Sequence, residues 1–206
     1  MSQRSPVFLV NAATGEAVEG VLVSPLTDKH VADWRDEWRP FQIKAMTNSN
    51  QARLPAEQHE HWSWEQKEKA LGALLAYRGF AIEADGVTQG MAFHRLTEVA
   101  RLDTQKGKPL VYVDFVESAP WNRASVSGSQ RYRTVGALLI RSAVALSMSE
   151  GFQGRIGLHS LRQADSFYRD TCRMTDLGPD KDCHGLRYFE MTAAQADEFA
   201  NREKLL

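Results

Sequence analysis

The residues best suited to chemistry sit where a helix starts in an unusual way. In "RYRTVGALLI", residues 131–140, Leu138, Leu139 and Ile140 favour a packed helix, yet Arg131, Tyr132, Arg133 and Thr134 lead into Gly136, a poor helix former. No acid stands in the first turn, where a negative side chain would complement the exposed amides and the positive end of the macrodipole. The missing negative partner is then expected to be a ligand. A loop whose amides can turn inward, a glycine and a helix N-terminus together cradle a phosphate. Arg123, Arg131 and Arg133 bring charge to the same mouth, and the arginine fork suits phosphate oxygens.

The elements that must hold this cradle are legible on either side of it. Val7 to Val10 and Val18 to Val23 are β-branched runs around the turn chemistry of "NAATGEA", which predicts an opening hairpin. "TDKHVADWRDEW" reads as a helix capped by Thr27 or Asp28, carrying Val31, Trp34 and Trp38 and ended by Pro40. The polar stretch from Thr47 to Glu60, with Pro55, reads as a loop. A second helix is expected from about Trp64 to Tyr77, with Leu71, Leu74 and Leu75 on one face, a Glu65–Lys69 pair and Gly79 as its stop.

"FAIEADGVTQGMAFHR" is the clearest hairpin, folding at Asp85-Gly86. "PLVYVDFVES", 109–118, is a strand that Pro120 leaves. The helix after the cradle should run to about Glu150 with Gly151 as its cap. "GRIGLHSL" reads as a strand, "QADSFYRDTC" as a helix, "LRYFEM" as a strand, and "TAAQADEF" as a closing helix with a Thr192–Gln195 capping box. This order predicts an α/β fold, a mixed sheet of about seven strands with helices on both faces.

At 206 residues and 43% hydrophobic content the chain can bury a substantial core as one domain, residues 1–206. Its 25 Lys and Arg against 26 Asp and Glu leave a formal charge of −1, so no global basicity points to nucleic acid or an anionic membrane. Two cysteines and no signal-like apolar start favour a reducing cytoplasm. No run approaches the roughly 20 apolar residues of a membrane span.

The cradle segment resembles the GNAT superfamily of N-acetyltransferases. Their signature is Arg or Gln, two residues, Gly, one residue, then Gly or Ala, set between the fourth strand and third helix to hold the pyrophosphate of acetyl-CoA. On "RYRTVG", Arg131 takes the first position, Thr134 the first small-residue position and Gly136 the last. A frame starting at Arg133 uses Gly136 and Leu138 and fits less well at its end. Only Arg131 and Arg133 match the motif among the arginines, so they are expected to bind CoA together with Thr134, Val135, Gly136 and Ala137. Thr134 departs from the pattern: its side chain limits backbone approach, although its hydroxyl can donate.

A second resemblance lies in "LHSLRQADSFYRD", where Ala164 precedes Tyr168 by four residues, as an alanine precedes the tyrosine that protonates the departing thiolate in many GNAT enzymes. Leu161 replaces the frequent Asn, and Cys172-Arg173 the frequent Gly-Phe. The likeness covers residues 79–191 well and the first 78 loosely.

An amine attacking a thioester needs a neutral nucleophile, a polarised carbonyl and a discharged thiolate. Amides near Val116 and Glu117 are expected to bind the thioester oxygen. Tyr168, which the resemblance implies as the acid, has a reference pKa of about 10 and can donate a proton near neutrality. Glu117 is the first choice of base; Asp114 faces the other way by strand parity, and His159 is the runner-up.

His59 and His61 lack a third ligand nearby, and Cys172, Cys183 and His184 are irregularly spaced, so no metal is expected. Trp34, Trp38, Trp62 and Trp64 read as core residues before they read as an acceptor pocket. The expected activity is direct transfer of an acetyl group from acetyl-CoA, the co-substrate, to an amine. The acceptor is read as a small molecule, with a protein N-terminus or lysine left open. A non-catalytic CoA-binding module is the competing class. A toxin acting on charged transfer RNA is disfavoured by charge, and a homodimer is left open.

Overall fold

Alternating apolar residues and Asx-turn chemistry build the first hairpin in this computed structural model, which describes residues 2–48, 58–59 and 61–202. Strand β1 (Gln3–Asn11) pairs antiparallel with β2 (Ala17–Ser24) in the register Val7↔Gly20 and Leu9↔Val18. Asn11 Oδ1 closes the turn by accepting from the amides of Ala13 and Thr14, at 2.9 and 3.2 Å. Nine strands form a single mixed sheet in the order β6-β1-β2-β3-β4-β5-β7-β9-β8. The chain divides into two compact units, Met1–Ala92 with Val116–Leu139, and Phe93–Phe115 with Ile140–Leu205.

In the first unit β2 pairs with β3 (Tyr77–Ala84), and β4 (Val87–Val99) follows through Asp85 and Gly86, whose φ values of 52° and 77° are those of a primed turn. The first helical stretch is longer than expected: α1 (Asp28–Asp33) passes through a π-turn over Trp34–Trp38 into α2 (Arg39–Asn48). Pro40 does not end it. The Arg39 amide bonds the carbonyl of Trp34, and Pro40 then enters in the first turn of α2, where a missing N–H costs least. Thr27 is the cap, its amide donating to His30 Nδ1 at 2.9 Å.

Helix α3 (Trp64–Leu71) stops earlier than expected, at Gly72, whose amide bonds the Glu68 carbonyl at 2.7 Å. Leu74 and Leu75, expected on its buried face, are 49% and 88% exposed. Glu65 approaches Arg35 at 3.4 Å. The expected loop from Thr47 to Glu60 falls largely on 49–57 and 60, outside the described residues, while Thr47 and Asn48 close α2.

Strand β5 spans Pro109–Ser118 as predicted. A 3-10 turn at Pro120–Asn122 and the short α4 (Ala124–Ser127) lead to β6 (Tyr132–Arg133), and α5 runs Val135–Ser149. Leu9, Ile82, Ala84, Ala92, Tyr132, Val135, Leu138 and Leu139 make the core beneath its first turn.

In the second unit β7 (Ile156–Ser160) runs parallel to β5 and antiparallel to β9 (Arg187–Met191), and β8 (Thr175–Pro179) closes the edge. The β5–β7 register covers Val111↔Ile156 and Tyr112↔Gly157. Helix α6 (Ala193–Ala200) opens with the predicted capping box, the Gln195 amide donating to Thr192 Oγ1 at 3.2 Å. "QADSFYRDTC" does not form a regular α-helix: a 3-10 turn at Arg162–Ala164 passes into a π-turn at Phe167–Thr171. The sheet exceeds the expected seven strands by β6, hidden in the cradle motif, and β8, a bulged edge strand with little apolar alternation.

Candidate active site

The loop before α5 is held at both ends by backbone. Strand β6 pairs with β1 through Val10↔Arg133 and Asn11↔Tyr132, and the Arg131 amide donates to the Trp121 carbonyl at 2.9 Å. Buried Asn122 fixes the middle, accepting from the Tyr132 amide at 3.0 Å while donating to Gln89 Oε1 at 3.0 Å. The Tyr132 hydroxyl donates to the Asp85 carboxylate of the neighbouring hairpin.

Thr134 follows with φ of +73°, a left-handed conformation that a β-branched residue adopts at a cost. It turns the chain directly into α5. The first intrahelical bond there runs from the Leu138 amide to the Thr134 carbonyl, 2.9 Å, so the amides of Val135, Gly136 and Ala137 precede the ladder. No acid occupies this turn. A left-handed residue followed by helical ones gathers successive N–H groups into an anion-binding concavity, to which the macrodipole adds. The residues present fit a CoA pyrophosphate.

Close packing sets the position of this turn. A Cβ on Gly90 of β4 would stand 2.6 Å from Val135 Cγ1 and 3.0 Å from Leu139 Cδ1, so only glycine lets α5 approach the strand. The side chains expected around the cradle are placed as follows. Arg131 is exposed with its guanidinium 5.8 Å from the Trp121 ring centroid, and exposed Arg133 donates to the Ala12 carbonyl at 3.3 Å. The Thr134 hydroxyl donates to the Arg133 carbonyl at 2.5 Å.

Glu117, at the end of β5, belongs to a buried polar cluster of the same unit. Its Oε2 accepts from Trp64 Nε1 at 2.6 Å, and its Oε1 stands 3.7 Å from both Arg123 Nη2 and His59 Nε2. Burial first, then the charges of Arg123, His61 and Lys67, push the His59 imidazole down to about 4. His59 is therefore neutral near pH 7, its Nε2 accepts from Arg123 Nη1 at 2.5 Å, and its approach to Glu117 is not an ion pair. Trp64 caps the arrangement from the first turn of α3, which Ser63 starts by accepting from the Gln66 amide at 3.3 Å. The backbone of Val116 precedes Glu117, and the Val116 side chain packs on the core beneath α5.

The sequence singles out Glu117 as a candidate base but does not show its setting. There His59 belongs to a histidine pair without a third ligand, Trp64 reads as core, and Arg123 falls outside the motif. The available signal was the density of histidine and tryptophan in "HEHWSW".

In the second unit Tyr168 is buried within the π-turn, its ring 5.2 Å from Phe167 and 5.8 Å from Phe189. Burial, with Cys172 beside it, holds its phenol above the ordinary tyrosine value, so it keeps its proton near neutrality. Its hydroxyl takes no hydrogen-bond partner among the described residues. Asp114 accepts from Arg95 at 3.3 Å. His159 lies between Tyr112 Oη at 2.5 Å and Asp180 Oδ2 at 2.9 Å. Cys172 is fully buried and Cys183 partly so.

No family profile matches the chain, and no curated protein matches it by sequence. Its structure does match. A protein assigned to the GNAT acetyltransferase family from Desulfovibrio desulfuricans superposes with a TM-score of 0.54 at 11% identity, covering 84% of this chain and 99% of that one. FeeM, an N-acyl amino acid synthase from uncultured soil microbes, gives 0.53 at 10% identity over 92% and 100%. The PaiA N-acetyltransferase of Thermoplasma acidophilum, in complex with coenzyme A, gives 0.52 at 14% identity over 83% and 98%. At such identities the likeness speaks for architecture. The chain therefore has the fold of the GNAT acetyltransferases.

Proposed function

We propose that this chain is a GNAT-type N-acetyltransferase that moves an acetyl group from acetyl-CoA directly to an amine. The observation that carries the proposal is the left-handed Thr134 ahead of three amides that precede the α5 ladder. Those amides, of Val135, Gly136 and Ala137, would hold the pyrophosphate, with Arg131 and Arg133 adding charge-assisted bonds from the exposed rim.

In the reaction the amine nitrogen bonds to the thioester carbonyl carbon and the carbon–sulfur bond breaks. Amides at Val116 and Glu117 would stabilise the oxyanion, and Glu117 would take the ammonium proton. Tyr168 would give its proton to the leaving thiolate. The coenzyme A bound to the similar PaiA structure supports the donor. The acceptor is proposed to be a small-molecule amine, since charge is balanced over the chain and offers nothing to a polyanion. No described helix is long and apolar enough to cross a membrane, and we place the activity in the cytoplasm on the strength of the two free thiols.

Thermal denaturation with coenzyme A tests the cradle, and thiol release from acetyl-CoA against an amine library tests the enzyme. At about a hundred times Kd, a ligand bound only by the native state contributes about 2.7 kcal/mol, or roughly 5–10 °C in a chain of this size. No shift at saturating coenzyme A overturns the cradle. A shift with no thiol release from any amine makes the chain a CoA-binding module.

A further inference from the structure

Three different metal-ligating side chains converge in the second unit. One ligand atom each from His159, Asp180 and Cys183 lies within 4.8 Å of the other two. The elements make this meeting specific. His159, on β7, stands opposite Tyr188 of β9. Between β8 and β9 the chain folds tightly: the Asp180 carbonyl accepts from the amides of Cys183 and Gly185 at 3.2 and 2.8 Å, and His184 and Gly185 are left-handed at φ of 55° and 74°. That turn carries Cys183 back toward Asp180.

The ligand atoms are also aimed. Tyr112 Oη sits 2.5 Å from His159 Nδ1, which fixes the ring and directs Nε2 toward Asp180 Oδ2, 2.9 Å away. The Asp182 amide holds Asp180 Oδ1 at 2.9 Å, leaving Oδ2 to face the cluster. A groove of about 410 Å³, lined by Arg101, Leu177, Asp180, Cys183 and Tyr188 among others, opens beside it.

We propose that His159, Asp180 and Cys183 bind a zinc ion, with water from the groove as fourth ligand. Imidazole nitrogen with thiolate sulfur suits Zn²⁺, whereas Mg²⁺ and Ca²⁺ take all-oxygen sets. Ligands bonded at about 2.0–2.3 Å in a tetrahedron stand roughly 3.5 Å apart, so the Cys183 sulfur closes by about 1.3 Å at most, while His159 Nε2 and Asp180 Oδ2, now 2.9 Å apart, separate by about half an ångström. The partly buried Cys183 can supply that movement by side-chain rotation. Coordination replaces the thiol proton, which leaves to solvent, and His159 offers the Nε2 lone pair as its Nδ1–H tautomer, the ring proton then donated to Tyr112 Oη. Arg101 Nη1, now 2.5 Å from Asp180 Oδ2, gives up this bond and keeps its stack 4.3 Å over the Tyr188 ring. His159–Tyr112 then becomes the outer-shell contact that orients the metal ligand. The ion ties the β8–β9 turn to β7 and is independent of acyl transfer.

The test uses the full chain, stripped with a chelator and titrated with Zn²⁺ in competition with a chromophoric chelator, alongside Co²⁺ substitution. One equivalent per chain is expected, weakened at least about tenfold by Cys183→Ser and by His159→Gln. The Co²⁺ form should show a near-ultraviolet thiolate charge-transfer band that Cys183→Ser removes, with circular dichroism confirming that each variant is folded. Absence of uptake, uptake equal in the folded variants, or a cobalt spectrum without the thiolate band overturns the assignment. Coenzyme A thermal shifts are read separately, so failure of either assignment leaves the other standing.

Discussion

Replacing Thr134 by glycine and by valine separates the two things this position does, which are to bend the backbone and to present amides. At φ of +73° a non-glycine residue carries roughly 1–2 kcal/mol of steric cost. Glycine removes it but adds about 0.5–1 kcal/mol of unfolded-state entropy, and it loses the hydroxyl bond to Arg133, worth about 0.5 kcal/mol at a half-exposed site. Thr134→Gly should thus lie between about 0.5 kcal/mol less and 1 kcal/mol more stable than the parent. Thr134→Val keeps the strain and loses the hydroxyl, costing about 0.5–1 kcal/mol. The glycine variant should therefore melt above the valine variant by about 2–4 °C, reflecting roughly 1 kcal/mol.

Differential scanning calorimetry with and without coenzyme A reads both effects. The glycine variant should retain the ligand-induced shift, because the Val135, Gly136 and Ala137 amides are untouched. A valine variant melting at or above the glycine variant would refute the left-handed assignment, since in an extended backbone the entropy of glycine dominates. Loss of the shift in Thr134→Gly would instead show that the hydroxyl, and not the amides, carries the anion.

Tyr168→Phe keeps the ring and its packing on Phe167 and Phe189 but removes the donor, so acetyl transfer should fall by roughly 10²- to 10⁴-fold with coenzyme A affinity unchanged; unaltered turnover removes the acid assignment. Stability should also depend on His59. An unfolded imidazole titrates near 6.5 and the folded one near 4, so the unfolded state binds the extra proton between these values, and stability falls as pH drops through that window by on the order of 2–3 kcal/mol. His59→Gln, which keeps an acceptor for Arg123, should flatten that part of the pH profile; an unchanged slope in urea titrations contradicts a buried neutral His59.

What the sequence disclosed follows from how local each signal is. Asp85-Gly86 specifies its own turn, and the β-branched run of 109–118 specifies its own strand, so the boundaries of β5 agree to the residue. Thr192 and Gln195 cap α6 through bonds three residues apart. Pro40 misled because its effect depends on the register ahead of it: after a π-turn it falls in a first turn and not in a helix interior. Gly79 is the expected stop of α3, yet the helix ends seven residues earlier at Gly72, whose amide still bonds the Glu68 carbonyl. The two-residue β6 carries no periodicity that could announce it.

The candidate site divides along the same line. The acid-free helix start preceded by arginines is legible as a local anomaly, whereas the left-handed backbone of Thr134 at that start is not. The setting of Glu117 is not legible either, because its partners are separated from it by 53 residues for Trp64 and reach it only through the fold. Strand parity could say which way Glu117 points but not what waits there. A buried carboxylate must be met by donors, since leaving it unpaired would cost several kcal/mol. With Glu117 on the inward face, the chain had to supply an indole or guanidinium from elsewhere, and the first turn of α3 and the residue before α4 do so. Long-range partners of this kind follow from the need to satisfy a buried charge, a constraint on the fold that no window along the sequence contains.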